Sequence, residues 1–158
     1  HCRYLFFSYI CILFHMQKNT TSYTSNSPED TIQFAKNFSK SIEFGTVIFM
    51  TGDLGSGKTT FTKGLAAGLG FTNEVQSPTY PILNEYSAST NFIYHFDLYR
   101  LKSISEFLEI GGIEYLSNKS GLCIIEWPEM LDTFDIDNKI EIKFTLIDEN
   151  KRSIDIIK

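Results

Sequence analysis

Eight consecutive residues, Gly52-Asp53-Leu54-Gly55-Ser56-Gly57-Lys58-Thr59, fill every fixed position of the spacing G-x-x-x-x-G-K-[ST]. Each fixed type has a chemical reason. Glycines let backbone N–H groups converge on phosphate oxygens that a side chain would hold away. Lys58 is placed to reach the outer phosphates of a nucleoside triphosphate, and Thr59 offers a hydroxyl to a magnesium ion. A helix starting there points its positive end at the same anion. From rough residue frequencies, a chance match somewhere in a chain of this length has a probability of roughly half a percent. The context agrees with the motif, because an apolar run ends just before Gly52 and an amphipathic segment begins just after Lys58.

A phosphate loop that works on ATP needs a carboxylate at the end of a neighbouring strand, to hold magnesium or its water. Two residues stand in that position. Asp97 follows Phe92-Ile93-Tyr94-His95-Phe96, and Glu126 follows Leu122-Cys123-Ile124-Ile125. Each emerges at the carboxyl end of an apolar run, the edge at which open α/β sheets bind ligands. Either would also suit a solvated strand cap, and it is the loop that turns both into metal-shell candidates. His95, alone in an alternating strand, reads as a packed or hydrogen-bonded structural residue. Trp127 reads equally as an aromatic cover over the core and as a group at the nucleotide or a partner surface. Glu106, Glu109 and Glu114 read as a solvated helix face.

These residues need elements to carry them. Ser27 is a good N-cap, Pro28 suits the first helical position, and Glu29 and Asp30 complement the positive helix end. Ile32, Ala35, Phe38 and Ser39 then recur on one helical face. Thr46–Thr51 is a short, continuous apolar run, which predicts a strand buried on both faces. Thr59–Leu69 carries Phe61, Leu65, Ala66 and Leu69 at helical spacing and closes at Gly70. Further strands are predicted at Ile82–Tyr86, Phe92–Phe96 and Leu122–Ile125, with a helix around Ile104–Leu116 broken or capped at Gly111-Gly112. In the tail, Ile140, Ile142 and Phe144 alternate with Glu141 and Lys143, and Ile154 and Ile156 repeat the pattern after Asp148-Glu149-Asn150. That arrangement predicts an antiparallel pair closing the sheet.

The chain has 158 residues, 42% of them apolar, with 14 Lys+Arg against 19 Asp+Glu and a formal charge of −5. One domain with a sizeable core is expected, and the acidity argues against a protein that grips nucleic acid alone. Cys2, Cys11 and Cys123 form neither an even set nor a C-x-x-C spacing, so a reducing compartment is expected and Cys123 reads as a small core hydrophobe. The apolar stretch Leu5–Phe14 is too short to span a membrane and lacks a small-residue cleavage site after it. Residues 1–15 are therefore expected to be an upstream extension, Met16 the working start, and everything through Asn26 a flexible leader outside the fold. The domain is expected over 27–158.

The chain lacks the guanine-reading motif, because Asn118-Lys119-Ser120-Gly121 and Asn138-Lys139-Ile140-Glu141 both lack the aspartate of N-K-x-D. A small-molecule kinase is a stronger alternative, yet such enzymes clamp the moving phosphoryl group with several arginines. Only Arg3, Arg100 and Arg152 exist. An ATPase completed by a partner suits that scarcity better, and a non-enzymatic adaptor that binds ATP to hold a docking shape is a third reading.

Four segments in order carry a resemblance: Gly52–Thr60, Ser77-Pro78-Thr79-Tyr80, His95-Phe96-Asp97-Leu98-Tyr99-Arg100-Leu101 and Glu126-Trp127-Pro128-Glu129. Their sequence is similar to the signature of the TsaE family, also called YjeE, and Glu109-Ile110-Gly111-Gly112-Ile113 resembles its acidic-helix-then-glycine segment. The resemblance spans roughly Pro28 to Lys158. It implies an ATPase that acts with TsaB and TsaD in making threonylcarbamoyladenosine on tRNA, touching tRNA through that complex and neither DNA nor a membrane, in the cytoplasm. It implies that Gly52, Asp53, Leu54, Gly55, Ser56, Gly57, Lys58, Thr59 and Thr60 bind ATP. Thr59 and Glu126 would ligate Mg²⁺, with Asp97 in that shell or orienting water. Thr79 would sit in a switch-like loop near the γ-phosphate, and Trp127 close to the site. The expected architecture is a three-layer P-loop α/β fold, its sheet mostly parallel with an antiparallel C-terminal strand pair.

Overall fold

The apolar, β-branched run Val47–Thr51 becomes strand β2 of a seven-stranded sheet in the computed structural model, which describes residues 19–158. The strands are β1 (Thr20–Ser25), β2, β3 (Leu83–Ala88), β4 (Asn91–Asp97), β5 (Gly121–Glu126), β6 (Lys139–Leu146) and β7 (Arg152–Ile157). They lie side by side in the order β1-β7-β6-β2-β5-β4-β3. β2 runs parallel to both β5 and β6, and β5 parallel to β4. The two margins are antiparallel, with β3 against β4 on one side and β6, β7 and β1 on the other.

Helices cover both faces, as three layers require. Helices α1 (Pro28–Phe38) and α2 (Lys58–Gly68) lie on one face, where Ala35, Phe61 and Leu65 pack against Ile48, Met50, Ile124, Ile142 and Phe144. Phe61 meets Phe144 edge-on at 5.5 Å between ring centroids. The opposite face carries α3 (Ile104–Glu109) and α4 (Gly112–Leu116), with Phe107 and Leu131 over Val47, Phe49, Phe96 and Ile125. The strictly alternating strands thus feed two cores, which is why β2 and β5 read as unbroken apolar runs.

Local signals act where the sequence places them. Ser27 Oγ accepts the Asp30 N–H at 3.0 Å and caps α1, and Pro28 opens that helix. Gly111 adopts a left-handed conformation between α3 and α4, the expected break in that helical segment. Cys123 is a core residue, its thiol pushed up by complete burial.

Three details differ from the sequence reading. Thr20–Ser25, assigned above to a flexible leader, form β1 and pair with β7 along their whole length. The reason is specific anchoring rather than hydrophobicity: Tyr23 stacks on Phe34 at 4.0 Å and donates its hydroxyl to Asp30, while Ser25, fully buried, bonds Thr31. The Tyr23 hydroxyl, with the Asn26 N–H, holds the Asp30 carboxyl below the ordinary carboxylate range. The C-terminal pair β6–β7 exists as expected but does not end the sheet, because β1 covers β7 and β6 pairs parallel with β2. On the far margin, β3 and β4 form an antiparallel hairpin around Ser89, which holds a positive φ of 56°. The expectations for residues 1–18 lie outside the described residues. No described helix is long and apolar enough to cross a membrane.

Candidate active site

β2, β5 and β4 are parallel neighbours, so their carboxyl ends open on one edge of the sheet. Register brings the ends together: Met50 lies opposite Glu126, and Glu126 opposite Asp97. The loop from Gly52 to Gly57 arches over that edge between β2 and α2. It can do so because Gly52, Gly55 and Gly57 hold φ values of 141°, 78° and 106°, which L side chains rarely adopt. A Cβ on Gly52 would also stand 2.5 Å from the Phe144 carbonyl oxygen, so the turn is seated directly on β6.

Lys58, the first residue of α2, donates its ammonium to the carbonyls of Gly52 at 2.7 Å and Asp53 at 3.1 Å. The same Nζ lies 4.4 Å from the centroid of the Trp127 ring, a cation–π distance. Burial pulls the Lys58 amine below the usual lysine range, and the carboxylates of Glu126, Asp97, Asp53 and Glu129 oppose it. Trp127 reaches this place through backbone strain. Its φ is +57°, in the left-handed region unusual for a bulky residue, and its N–H bonds the Met50 carbonyl at 3.2 Å.

Two carboxylates organise the rest. Glu126 Oε1 accepts from Thr59 Oγ1 at 2.9 Å and lies 2.9 Å from His95 Nε2, while its second oxygen bonds no described residue. Asp97 Oδ2 accepts from Thr79 Oγ1 at 2.6 Å and Oδ1 from the Tyr99 N–H at 3.0 Å. Thr79 in turn shares a hydrogen bond with Ser77 at 2.8 Å. Asp97 thereby ties the segment between α2 and β3 to the end of β4.

A single cleft is lined by Leu54, Gly55, Gly57, Lys58, Thr59, Thr60, Ser77, Thr79, Asp97, Glu126 and Trp127. Most of the residues singled out in the sequence meet there. Gly52, Asp53 and Ser56 do not line it: Gly52 and Asp53 hold Lys58 through their carbonyls, and the Ser56 hydroxyl is buried without a hydrogen-bond partner. The Leu54 side chain is 83% exposed at the rim.

The donor set fits magnesium better than a metal caged by protein. Hydroxyl and carboxylate oxygens from Thr59, Glu126 and Asp97 are hard ligands, and magnesium keeps several waters while taking its remaining oxygens from substrate phosphates. Among the described residues, no three His, Cys, Asp or Glu side chains converge into a metal-holding cluster.

The connection of His95 to this site is not evident from composition. His95 is fully buried and hydrogen-bonded, as read from the sequence, but its partner is Glu126. The period of two carries the signal: Ile93, His95 and Asp97 share a face of β4, as Ile124 and Glu126 share one of β5. Ile93 and Ile124 both lie in the core beneath the helix that follows the loop. Ser77 is the other addition, brought to the cleft by its bond to Thr79.

Comparisons with known proteins converge on this architecture. The family model described as "Threonylcarbamoyl adenosine biosynthesis protein TsaE" matches residues 25–154. The tRNA threonylcarbamoyladenosine biosynthesis protein TsaE of Bacillus subtilis is 38% identical over 128 residues, 81% of this chain and 79% of that one. Its counterpart in Treponema pallidum is 35% identical over 132 residues, 84% of this chain and 96% of the relative. A crystal structure of Bacillus subtilis YdiB superimposes with a TM-score of 0.72 at 29% identity, covering 89% of this chain and 86% of that one.

Proposed function

We propose, on the premise that this chain belongs to the TsaE family, that it serves tRNA threonylcarbamoyladenosine biosynthesis by binding and hydrolysing ATP in the cleft between the loop and strands β4 and β5. The observation that carries this reading is the meeting, on one sheet edge, of the phosphate loop with the Thr59–Glu126 and Thr79–Asp97 pairs.

Each residue has a task that its position supports. Backbone N–H groups of Gly55 to Thr60 and the start of α2 receive the phosphates. Lys58 brings positive charge to the outer phosphates, where charge accumulates as the terminal bond breaks. Thr59 and Glu126 would hold Mg²⁺, which when bound would supply positive charge to offset that of the phosphates. Glu126 is kept aimed at Thr59 by His95, and its unengaged oxygen is free to accept from a water. Asp97 holds Thr79, so the loop carrying Ser77 and Thr79 closes the cleft from the β3 side. Trp127 supplies one wall.

The described residues offer few arginines to the reacting phosphate, a pattern suited to an enzyme that turns over slowly alone and is completed by partners. Those partners are TsaB and TsaD, with tRNA met through their assembly, and the setting is the cytoplasm. ADP release by the full chain, alone and with TsaB and TsaD from the same organism, tests the reading. Turnover that requires Mg²⁺ and changes on adding the pair is expected. Turnover indifferent to the pair, together with phosphate transfer to a metabolite, would replace this reading with that of a small-molecule kinase.

A further inference from the structure

The turn that follows β4 holds the segment before β3 at two consecutive residues. Asp97 Oδ2 accepts from Thr79 Oγ1 at 2.6 Å, and further along the turn the Arg100 guanidinium carbon lies 5.3 Å from the centroid of the Tyr80 ring. At that distance a cation is drawn to an aromatic face. The Leu101 N–H closes the turn on the Leu98 carbonyl at 3.0 Å, so both contacts issue from one short stretch of chain.

Burial does not explain why Tyr80 stands there. It is 85% exposed, Arg100 is exposed as well, and neither side chain has a hydrogen bond or ion pair with another described residue. Each is the other's one directional partner among the described residues. The segment between them has a reason to need holding. Ile82, a β-branched residue, has a φ of 69°, in the left-handed region that such residues rarely adopt. Its N–H bonds the Pro78 carbonyl at 2.6 Å, and its carbonyl accepts the Asp97 N–H at 3.0 Å. Strain of this kind persists only where the surroundings over-determine the conformation, and Thr79 and Tyr80 lie inside the turn that those bonds close.

We propose that Arg100 is a positioning residue of the nucleotide site: by holding the Tyr80 ring it keeps the adjoining Thr79 at the wall of the cleft, where the terminal phosphate of ATP would lie. This inference rests on the reading of the cleft as a site of ATP hydrolysis. It goes beyond that reading by giving an exposed arginine, absent from the cleft lining, a part in turnover.

The test is a double-mutant cycle in the full chain, with Tyr80→Ala, Arg100→Gln and the two combined, beside Tyr80→Phe, which keeps the ring. Both residues are exposed, so every variant is expected to melt within about two degrees of wild type. Loss of an exposed cation–π contact is expected to lower kcat about two- to fivefold in either single variant. The affinity for ADP without metal should not change, because ADP lacks the phosphate that Thr79 would face. The double variant should fall no further than the singles, and Tyr80→Phe should keep the wild-type kcat. Hydrogen exchange at the amides of 79–82 should quicken in both single variants. Losses that multiply in the double variant, or Tyr80→Phe as slow as Tyr80→Ala, would overturn the proposal, as would unchanged exchange in both single variants. So would normal turnover alone with a defect only when TsaB and TsaD are added, which would make the two residues a partner contact. A wild type that turns over no ATP would bring down the hydrolysis reading, and this role for Arg100 with it, even where exchange quickens.

Discussion

Replacing Lys58 by alanine is expected to lower ATP turnover by about a hundredfold or more, the effect of removing a preorganised charge from a site where negative charge develops. No other lysine lines the cleft. The ammonium is held by two loop carbonyls and the Trp127 face, so it is already positioned when substrate arrives. Its partial burial raises the strength of its attraction to phosphate, while Glu126 and Asp97 keep the charged form favourable. Lys58→Arg should not restore the rate, because a planar fork does not reproduce a point charge bonded to Gly52 and Asp53 while lying over an indole ring. ADP release at saturating ATP measures the loss, with circular-dichroism melting to establish that the variant is folded. A Lys58→Ala chain as active as wild type would remove the loop from the chemistry.

Glu126→Gln carries the second large effect, also expected near a hundredfold in turnover, but with a different signature. The substitution keeps the volume of a side chain that is almost fully buried and retains an oxygen able to accept from Thr59 or His95. What it removes is the negative charge beside the Thr59 hydroxyl. Nucleotide binding in the presence of a chelator should therefore be nearly unchanged, and the additional affinity conferred by Mg²⁺ should be lost. Titrations of ADP with and without magnesium separate the two contributions. Equal gains from magnesium in wild type and variant would exclude Glu126 from the metal's surroundings.

Those two residues illustrate what a sequence can disclose. Lys58 was legible because its role is fixed by local spacing: six residues of loop and one turn of helix determine where it goes. Glu126 and Asp97 were legible for a related reason, since a carboxylate that ends an apolar run in a parallel sheet must emerge at the ligand edge. That they lie opposite one another follows from the register of β4 on β5, which only the folded chain specifies. His95 falls between. Strand alternation puts it on the face of Asp97, but its bond to Glu126 crosses from one strand to the next.

Less was legible at the margin of the sheet. Thr20–Ser25 contain one aromatic residue and no aliphatic one, so hydrophobic patterning offers little there. Their place is fixed by pairing with β7 and by the contacts of Tyr23 and Ser25 with α1, interactions of polar groups that carry no periodic signature. The contact of Arg152 with the phosphate loop is of the same kind. Its neighbour in space, Gly57, is 95 positions away in the chain, and they meet because β6 supports the loop while β7 lies beside β6. The seat of Gly52 on Phe144 is a further contact of this kind, joining the phosphate loop to a strand far along the chain.

The most direct test of the account is the threonylcarbamoyladenosine content of tRNA in cells depleted of their own TsaE-family protein and supplied with this chain together with TsaB and TsaD from its own organism. Wild type is expected to restore the modified nucleoside, measured by mass spectrometry of digested tRNA, and Lys58→Ala, present at the same level, is expected to leave it depleted. Restoration by both chains would contradict the claim that ATP turnover in this cleft drives the modification.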